Sequence, residues 1–325
     1  MPRILLVKTT SLGDVIHNLP VVSDLKSQVP DSEVHWAVED SFAAIPGMHP
    51  GVERVIAVAT RRWRKRLLSP TTWKEIVAVN HELKSLSYDY IIDTQGLMKS
   101  ALIARRAKGP VYGQDRASAR EPMASRLYDH TYRIDRDRHA VQRNRELAAA
   151  VFGYDPDSIP LNYGIEGTVQ RTKQDWIPQS EYLVFLHGTS RDSKLWPEAK
   201  WIELGRHLSN MGATILLPWG NANEHDRAQR LASTIDQAVV TPPFDLDALA
   251  GVLAGAQAVV GVDTGPVHLA VALNRPTIAV YTDTDPVLTG VLPMDSERAI
   301  NVGNKDQIPT ADMVYQALQR VLVHA

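Results

Sequence analysis

The feature that most constrains this chain is a repeated alternation of short apolar runs with longer stretches of helical spacing. In the first half, residues 3–8, 34–38, 54–58 and 89–93 have strand character, and helices are expected at about 14–28, 73–86 and 97–107. The plan recurs in the second half. Residues 182–187, 213–218 and 256–262 read as strands, with helices near 198–210, 223–234 and 245–255. Strands alternating with helices are the mark of a parallel sheet covered on both faces, so the expected class is α/β. At 325 residues the chain exceeds one comfortable core, which points to two Rossmann-like domains, 1–160 and 161–325. The stretch holding Tyr154, Pro156 and Pro160 and running to about Trp176 is polar and proline-bearing, as an interdomain linker would be. The last expected helix, about 310–323, is open to either domain, including a return to the N-terminal one. Two such domains facing each other would place ligands in the cleft beyond the carboxyl ends of their strands.

Composition removes several classes of function. There is no cysteine, hence no disulfide, thiolate metal site or cysteine nucleophile. The formal net charge of −2 argues against a general nucleic-acid binder. No apolar run approaches the roughly 18 residues of a membrane span. The N-terminal run is broken by Lys8 and Asp14 and reads as a first strand rather than a signal peptide. The expected location is therefore the cytoplasm, with peripheral membrane contact left open. The histidines are scattered without metal-ligand spacing, and the Gly-x-Gly-x-x-Gly, Gly-x-Ser-x-Gly and P-loop patterns are all absent.

Four segments carry chemistry. Lys8-Thr9-Thr10-Ser11-Leu12-Gly13-Asp14 joins the first strand to the first helix, and Gly13 allows close backbone approach to a ligand. Its plainer reading is that Ser11 or Asp14 caps the helix. Gly261-Val262-Asp263-Thr264-Gly265-Pro266-Val267-His268 also leads from strand to helix, and amides around Thr264–His268 would suit an anion such as a diphosphate. An aspartate cap beside a structural glycine explains it equally well. The run from His187 to Pro197, with Thr189, Ser190 and Lys194, has groups suited to phosphate oxygens, or is a solvated loop. Beyond Pro218-Trp219-Gly220, Glu224 could accept from ribose hydroxyls or serve the helix dipole. Finally, Arg61, Arg62, Arg64, Lys65 and Arg66 place five cations in six residues. This is either a solvated mobile loop or a site for an anionic acceptor or lipid headgroup, which Arg120, Arg143 and His139 would extend.

Together these segments, with Asp93-Thr94-Gln95-Gly96-Leu97-Met98-Lys99-Ser100 and Arg120-Glu121-Pro122, closely resemble the lipopolysaccharide heptosyltransferase family, glycosyltransferase family nine, along nearly the whole chain. The resemblance implies the GT-B architecture, with the acceptor held by the N-terminal domain and the donor mainly by the C-terminal one. It implies ADP-L-glycero-β-D-manno-heptose as donor, Kdo2-lipid A as acceptor, inverting transfer and no resident cofactor or required divalent cation. It implies a monomer at the cytoplasmic face of the inner membrane. By position, Asp14 looks like the general base, with Ser11 and Gly13 beside the acceptor. Thr189, Ser190, Lys194, Thr264, Gly265 and His268 look like phosphate contacts, Glu224 like a ribose contact, Asp263 a sugar contact and Phe244 an adenine contact. Arg61, Arg62, Arg64, Lys65 and Arg120 look like contacts for Kdo carboxylates and lipid A phosphates. A carboxylate is a weak base for an alcohol, so proton transfer would come late, as the acceptor oxygen bonds to carbon. The rival readings are transfer at a later core step, a nucleotide-sugar epimerase or dehydrogenase, which would need the missing dinucleotide fingerprint, and a non-catalytic lipid-A-binding protein.

Overall fold

A computed structural model describes residues 1–172, 175–178 and 180–323. Residues 173 and 174 of the expected linker lie outside the described residues. The chain divides into two compact units, Met1–Gly164 and Ile165–Ala325. The first unit contains β1 (Arg3–Val7), β2 (Glu33–Glu39), β3 (Arg54–Val58), β4 (Tyr90–Asp93), β5 (Val111–Gln114) and β6 (His130–Tyr132), in the order β3-β2-β1-β4-β5-β6. The second contains β7 (Tyr182–Leu186), β8 (Thr214–Leu217), β9 (Ala238–Val240), β10 (Ala258–Val262), β11 (Thr277–Val280) and β12 (Ala299–Val302), in the order β12-β11-β10-β7-β8-β9. Read from the other edge, the second order is the first again. Neighbouring strands pair in parallel in both sheets. Each unit is thus a doubly wound Rossmann-like sheet, as expected.

The central strands form because their residues are apolar on both faces. Ile4, Leu5, Leu6 and Val7 are all fully buried, as a strand covered by helices on both sides requires. In the second unit Phe185, Trp196 and Trp201 pack with ring centroids about 5 Å apart, 4.9 Å and 5.0 Å for the two contacts. The last helix, Ala311–Val323, belongs to this core. Val314, Leu318 and Val321 are buried in the same cluster as Trp196 and Ile278.

Strand order fixes where the functional loops emerge. The chain reverses its direction of winding between β1 and β4 and between β7 and β10, and such switch points open a crevice for ligands. Val7 lies opposite Asp93, and Leu186 opposite Gly261. The loops that follow therefore leave each sheet side by side.

Several elements depart from the sequence reading. The helix expected over 14–28 is two helices, Leu12–Ile16 and Leu19–Gln28. Pro20, in the second position of the latter, has no N–H to give the Ile16 carbonyl, so the first helix cannot run on. The basic segment is not a mobile loop but the helix Thr60–Lys65. The short strands β5, β6, β9, β11 and β12, of three or four residues, and the helix Ala140–Phe152 were not anticipated.

Candidate active site

In the first unit, Asp14 occupies the third position of the helix Leu12–Ile16. Its Oδ2 accepts hydrogen bonds from the Ser11 amide at 2.8 Å and the Ser11 hydroxyl at 3.1 Å. Asp14 therefore does cap its own helix start, yet its side chain keeps 30% of its exposure and is not sealed in the core. Arg120 Nη1 stands 3.9 Å from Oδ2. The Thr9–Ser11 backbone leading to it is clamped by one buried side chain. Gln95 Oε1 accepts from the Thr9 amide and hydroxyl, both at 2.7 Å, and Gln95 Nε2 donates to the Thr10 carbonyl.

Gln95 is held in turn by β4. The buried Asp93 carboxylate accepts from the Gln95 amide at 2.9 Å, and from Ser100 Oγ and Tyr128 Oη at 2.8 Å each. Burial raises the Asp93 carboxyl above its ordinary value, and these donors oppose the shift. Lys8 Nζ donates to the Thr94 carbonyl at 2.9 Å and to Asn144 Oδ1 at 3.1 Å. Burial pushes the Lys8 ammonium down to about 8, against the pull of Asp14 and Asp93. Lys99 donates to Thr10 Oγ1. Burial and the Arg61 charge lower its affinity for a proton, and the charges of Asp14 and Arg120 also act on it. Lys8, Lys99 and Arg143 also lie within the electrostatic reach of Asp14.

The basic helix starts where the buried Glu39, at the end of β2, accepts from Thr60 Oγ1 at 2.6 Å and the Arg61 amide at 2.8 Å. Arg62, about half exposed, is paired with acidic residues. It bonds both Glu75 carboxylate oxygens at 2.8 Å and Asp40 at 3.1 Å. Among the described residues, Arg64, Lys65 and Arg66 take part in no ion pair. His139, expected to extend the basic patch, instead caps the helix Ala140–Phe152 by accepting from the Val141 amide.

In the second unit the loops after β7 and β10 are tied together. Thr189 Oγ1 donates to the Asp263 carbonyl at 2.9 Å. Lys194 Nζ meets Asp263 Oδ2 at 2.6 Å, and Thr284 Oγ1 donates to the same oxygen at 2.7 Å. Thr264 caps the helix Gly265–Ala272 by position but makes no side-chain capping bond. Pro266 has no N–H, and Val267 gives its own to the Thr264 carbonyl at 3.2 Å. Of the anion donors expected over Thr264–His268, Pro266 thus supplies none and the Val267 amide is already engaged. His268 itself is buried. Glu224 accepts from the Gly220 amide at 2.7 Å and lies against Gly188, where an added Cβ would fall 2.5 Å from the Glu224 carboxyl carbon. That glycine brings the Glu224 carboxylate to the end of β7. Phe244 stacks on Trp176 with centroids 5.9 Å apart.

A family model for glycosyltransferase family 9 (heptosyltransferase) matches residues 76–319. The chain belongs to glycosyltransferase family 9. It is 47% identical over 289 residues to a Pseudomonas aeruginosa protein named lipopolysaccharide heptosyltransferase 1, covering 89% of this chain and 81% of that protein. Among solved structures it is similar to the Escherichia coli heptosyltransferase WaaC with ADP, at a TM-score of 0.89 and 43% identity, over 98% of this chain and 99% of that one. The same enzyme with ADP-2-deoxy-2-fluoro heptose gives a TM-score of 0.86 at 41% identity, with the same coverage of each.

As a family 9 glycosyltransferase the chain is an enzyme, and its candidate residues fall into two groups. Ser11, Gly13, Asp14, Arg61 and Arg120 belong to the first unit, beside Lys99. Thr189, Ser190, Lys194, Glu224, Asp263, Thr264 and Gly265 border the switch point of the second. Sequence reasoning passed over Lys8, Gln95, Lys99 and Thr284. The first three lie inside quoted motifs, and their adjacency follows from the β1–β4 pairing, which puts Lys8 beside Thr94. Thr284 follows β11, a strand that was not anticipated, so no sequence signal pointed to it.

Proposed function

We propose that this chain transfers L-glycero-D-manno-heptose from ADP-heptose to a Kdo sugar of Kdo2-lipid A, an early step in building the lipopolysaccharide inner core. The observation that carries the reading is full-length similarity to a heptosyltransferase solved with ADP and with an ADP-heptose analogue. The two polar sites described above give that likeness its chemistry.

In this reading the second unit holds the donor. The diphosphate draws Lys194 away from Asp263 and accepts from Thr189, Ser190 and the amides of Thr264 and Gly265. His268, at the same turn, is a further phosphate contact. Asp263, still held by Thr284, turns to the heptose hydroxyls; Glu224 takes the ribose and Phe244 the adenine. The first unit holds the acceptor, with Arg61, Arg62, Arg64, Lys65 and Arg120 on carboxylate and phosphate oxygens. Asp14 accepts the proton of the attacking Kdo hydroxyl as the new C–O bond forms opposite the departing ADP. Charge accumulating on the leaving diphosphate is met by Lys194, once drawn from Asp263, and by backbone amides already in place, donors that need no resident cofactor. The chain acts as a monomer at the cytoplasmic face of the inner membrane, where its lipid acceptor is found.

The test is incubation of the purified protein with ADP-heptose and Kdo2-lipid A, followed by mass spectrometry of the lipid. The reading requires a gain of one heptose on Kdo2-lipid A. Transfer only to an acceptor that already bears heptose would assign a later core step, and binding without ADP release would leave a non-catalytic lipid-A-binding protein.

A further inference from the structure

The helix Pro70–Ser85 has two unlike faces. Thr72 and Leu83 are buried, and Val79 packs against the core of the first unit. Its outward face carries Trp73 at 54% exposure and Val77 at 63%, four residues apart and so stacked along one side. The turn before it presents Leu67 at 52% and Leu68 fully exposed. These side chains form one patch, because Trp73 Nε1 donates to the Leu67 carbonyl at 2.8 Å and folds the turn onto the helix. Four large apolar side chains so close together are more than the scattered exposure a soluble surface normally shows.

The rim of the patch is cationic. Arg64, Lys65 and Arg66 immediately precede it, and Lys74 is exposed on the helix beside Trp73. The two Arg62–Glu75 bonds of 2.8 Å, with Trp63 Nε1 bonded to Glu75 at 2.7 Å, fasten the basic helix to the apolar one. Apolar tips flanked by cations, with a tryptophan at the boundary, match a bilayer surface, where acyl chains lie beneath anionic headgroups. Among the described residues no helix is long and apolar enough to cross a membrane, so contact by this patch would be superficial.

We propose that Leu67, Leu68, Trp73 and Val77 insert into the interfacial layer of an anionic phospholipid bilayer while Arg66 and Lys74 engage its headgroups, leaving Arg64 and Lys65 to the acceptor. The patch deepens the reading of the basic segment as an acceptor site, and rests on it in one respect: it would hold that segment at the membrane where a lipid-borne acceptor is embedded. The shared orientation follows from the ion pairs that join the two helices.

The experiment is co-sedimentation of the full chain with vesicles of phosphatidylcholine alone or with about one-third phosphatidylglycerol, comparing wild type with a Leu68→Asp, Val77→Asp double variant. The expected result is partition that depends on phosphatidylglycerol, weakens with salt, and falls about tenfold or more in the double variant. Unchanged far-UV dichroism and thermal midpoint, with unchanged heptose transfer to a detergent-dispersed acceptor, would place the loss at the membrane. A blue shift of tryptophan emission on vesicles that Trp73→Phe removes would place that side chain in the lipid. Equal partition of wild type and double variant, or equal partition on both vesicle types, would overturn the proposal. Heptose transfer without vesicle binding would defeat this inference alone, and Leu68-dependent binding without transfer would defeat only the functional reading.

Discussion

In the first unit, the loop after β1 rests on buried side chains that bond one another: Asp93 holds Gln95, and Gln95 holds Thr9 and Thr10. In the second unit, the loop after β7 rests on a pair whose two members are themselves candidate ligand contacts, Lys194 and Asp263. Both loops leave the same place in the same strand order. The difference lies in what must change when a substrate arrives. The first loop can receive an acceptor without breaking its supports, since Gln95, Asp93 and Tyr128 point away from solvent. The second is closed on itself, so in the proposed reading a diphosphate competes for Lys194 before it is fully bound. One site is preorganised, and the other is completed by its ligand.

The largest effect expected is on the scaffold of the first unit. Arg145, buried, bonds both carboxylate oxygens of Asp24 at 2.8 Å and 3.0 Å and also donates to the Ile159 carbonyl. Asp24→Ala leaves that guanidinium buried without its counterion and should cost ~3–5 kcal/mol in urea unfolding. A loss below ~1 kcal/mol would show that buried charge does not organise this unit. Next comes the second unit. Lys194→Ala should lower kcat/KM for the donor by about 10²-fold, equivalent to ~2.7 kcal/mol, with little change in acceptor KM and little loss of stability. If stability falls instead and donor kinetics hold, the Lys194–Asp263 pair is a structural strut like those of the first unit, and the contrast fails.

The smallest expected effect is on pH dependence, and it reaches both units. Burial pushes His49 down to about 4, helped by Lys26, and its neutral ring accepts from the Gly51 amide and meets Ser23 Oγ at 3.0 Å each. Burial likewise pushes His187 down to about 4, helped by Arg227, and neither of its ring nitrogens has a hydrogen-bond partner among the described residues. With unfolded values of 6.5, the unfolded chain takes up protons that the native rings refuse between pH 6.5 and 4. Stability is therefore full above pH 6.5 and declines as the pH falls toward 4. His187→Gln and His49→Gln should each flatten that decline in urea titrations, on the order of 1 kcal/mol or more between pH 7 and 5. A decline as steep in both variants would assign acid sensitivity to carboxylates instead.

How far the sequence could be read depended on whether neighbours in space were also neighbours in the chain. β1 and β7 are apolar on both faces and flanked by turn residues, so periodicity alone finds them. β6, with His130 and Tyr132 at a sheet edge, gives no such signal, because an edge strand exposes the side chains that would otherwise be apolar. Asp14, Lys194 and Asp263 were legible because each follows a recognisable strand within a motif. Their partners were not. Gln95 is more than 80 residues from the loop it clamps, and Thr284 lies 21 residues from Asp263, beyond a strand too short to recognise. The basic segment misled for another reason. Its order comes from Glu39 and Glu75, acidic residues outside the run, and a charge run says nothing of its counterions.

The central claim is that Asp14 takes the acceptor proton while the second unit holds most of the donor, and Asp14→Asn tests it most directly. The substitution keeps the shape and leaves an oxygen to accept from the Ser11 amide, so the helix start should survive. Single-turnover transfer from ADP-heptose should fall by at least ~10²-fold, with ADP affinity unchanged in calorimetry. Turnover within a few-fold of wild type, or a loss of ADP binding that matches the loss of rate, would contradict it.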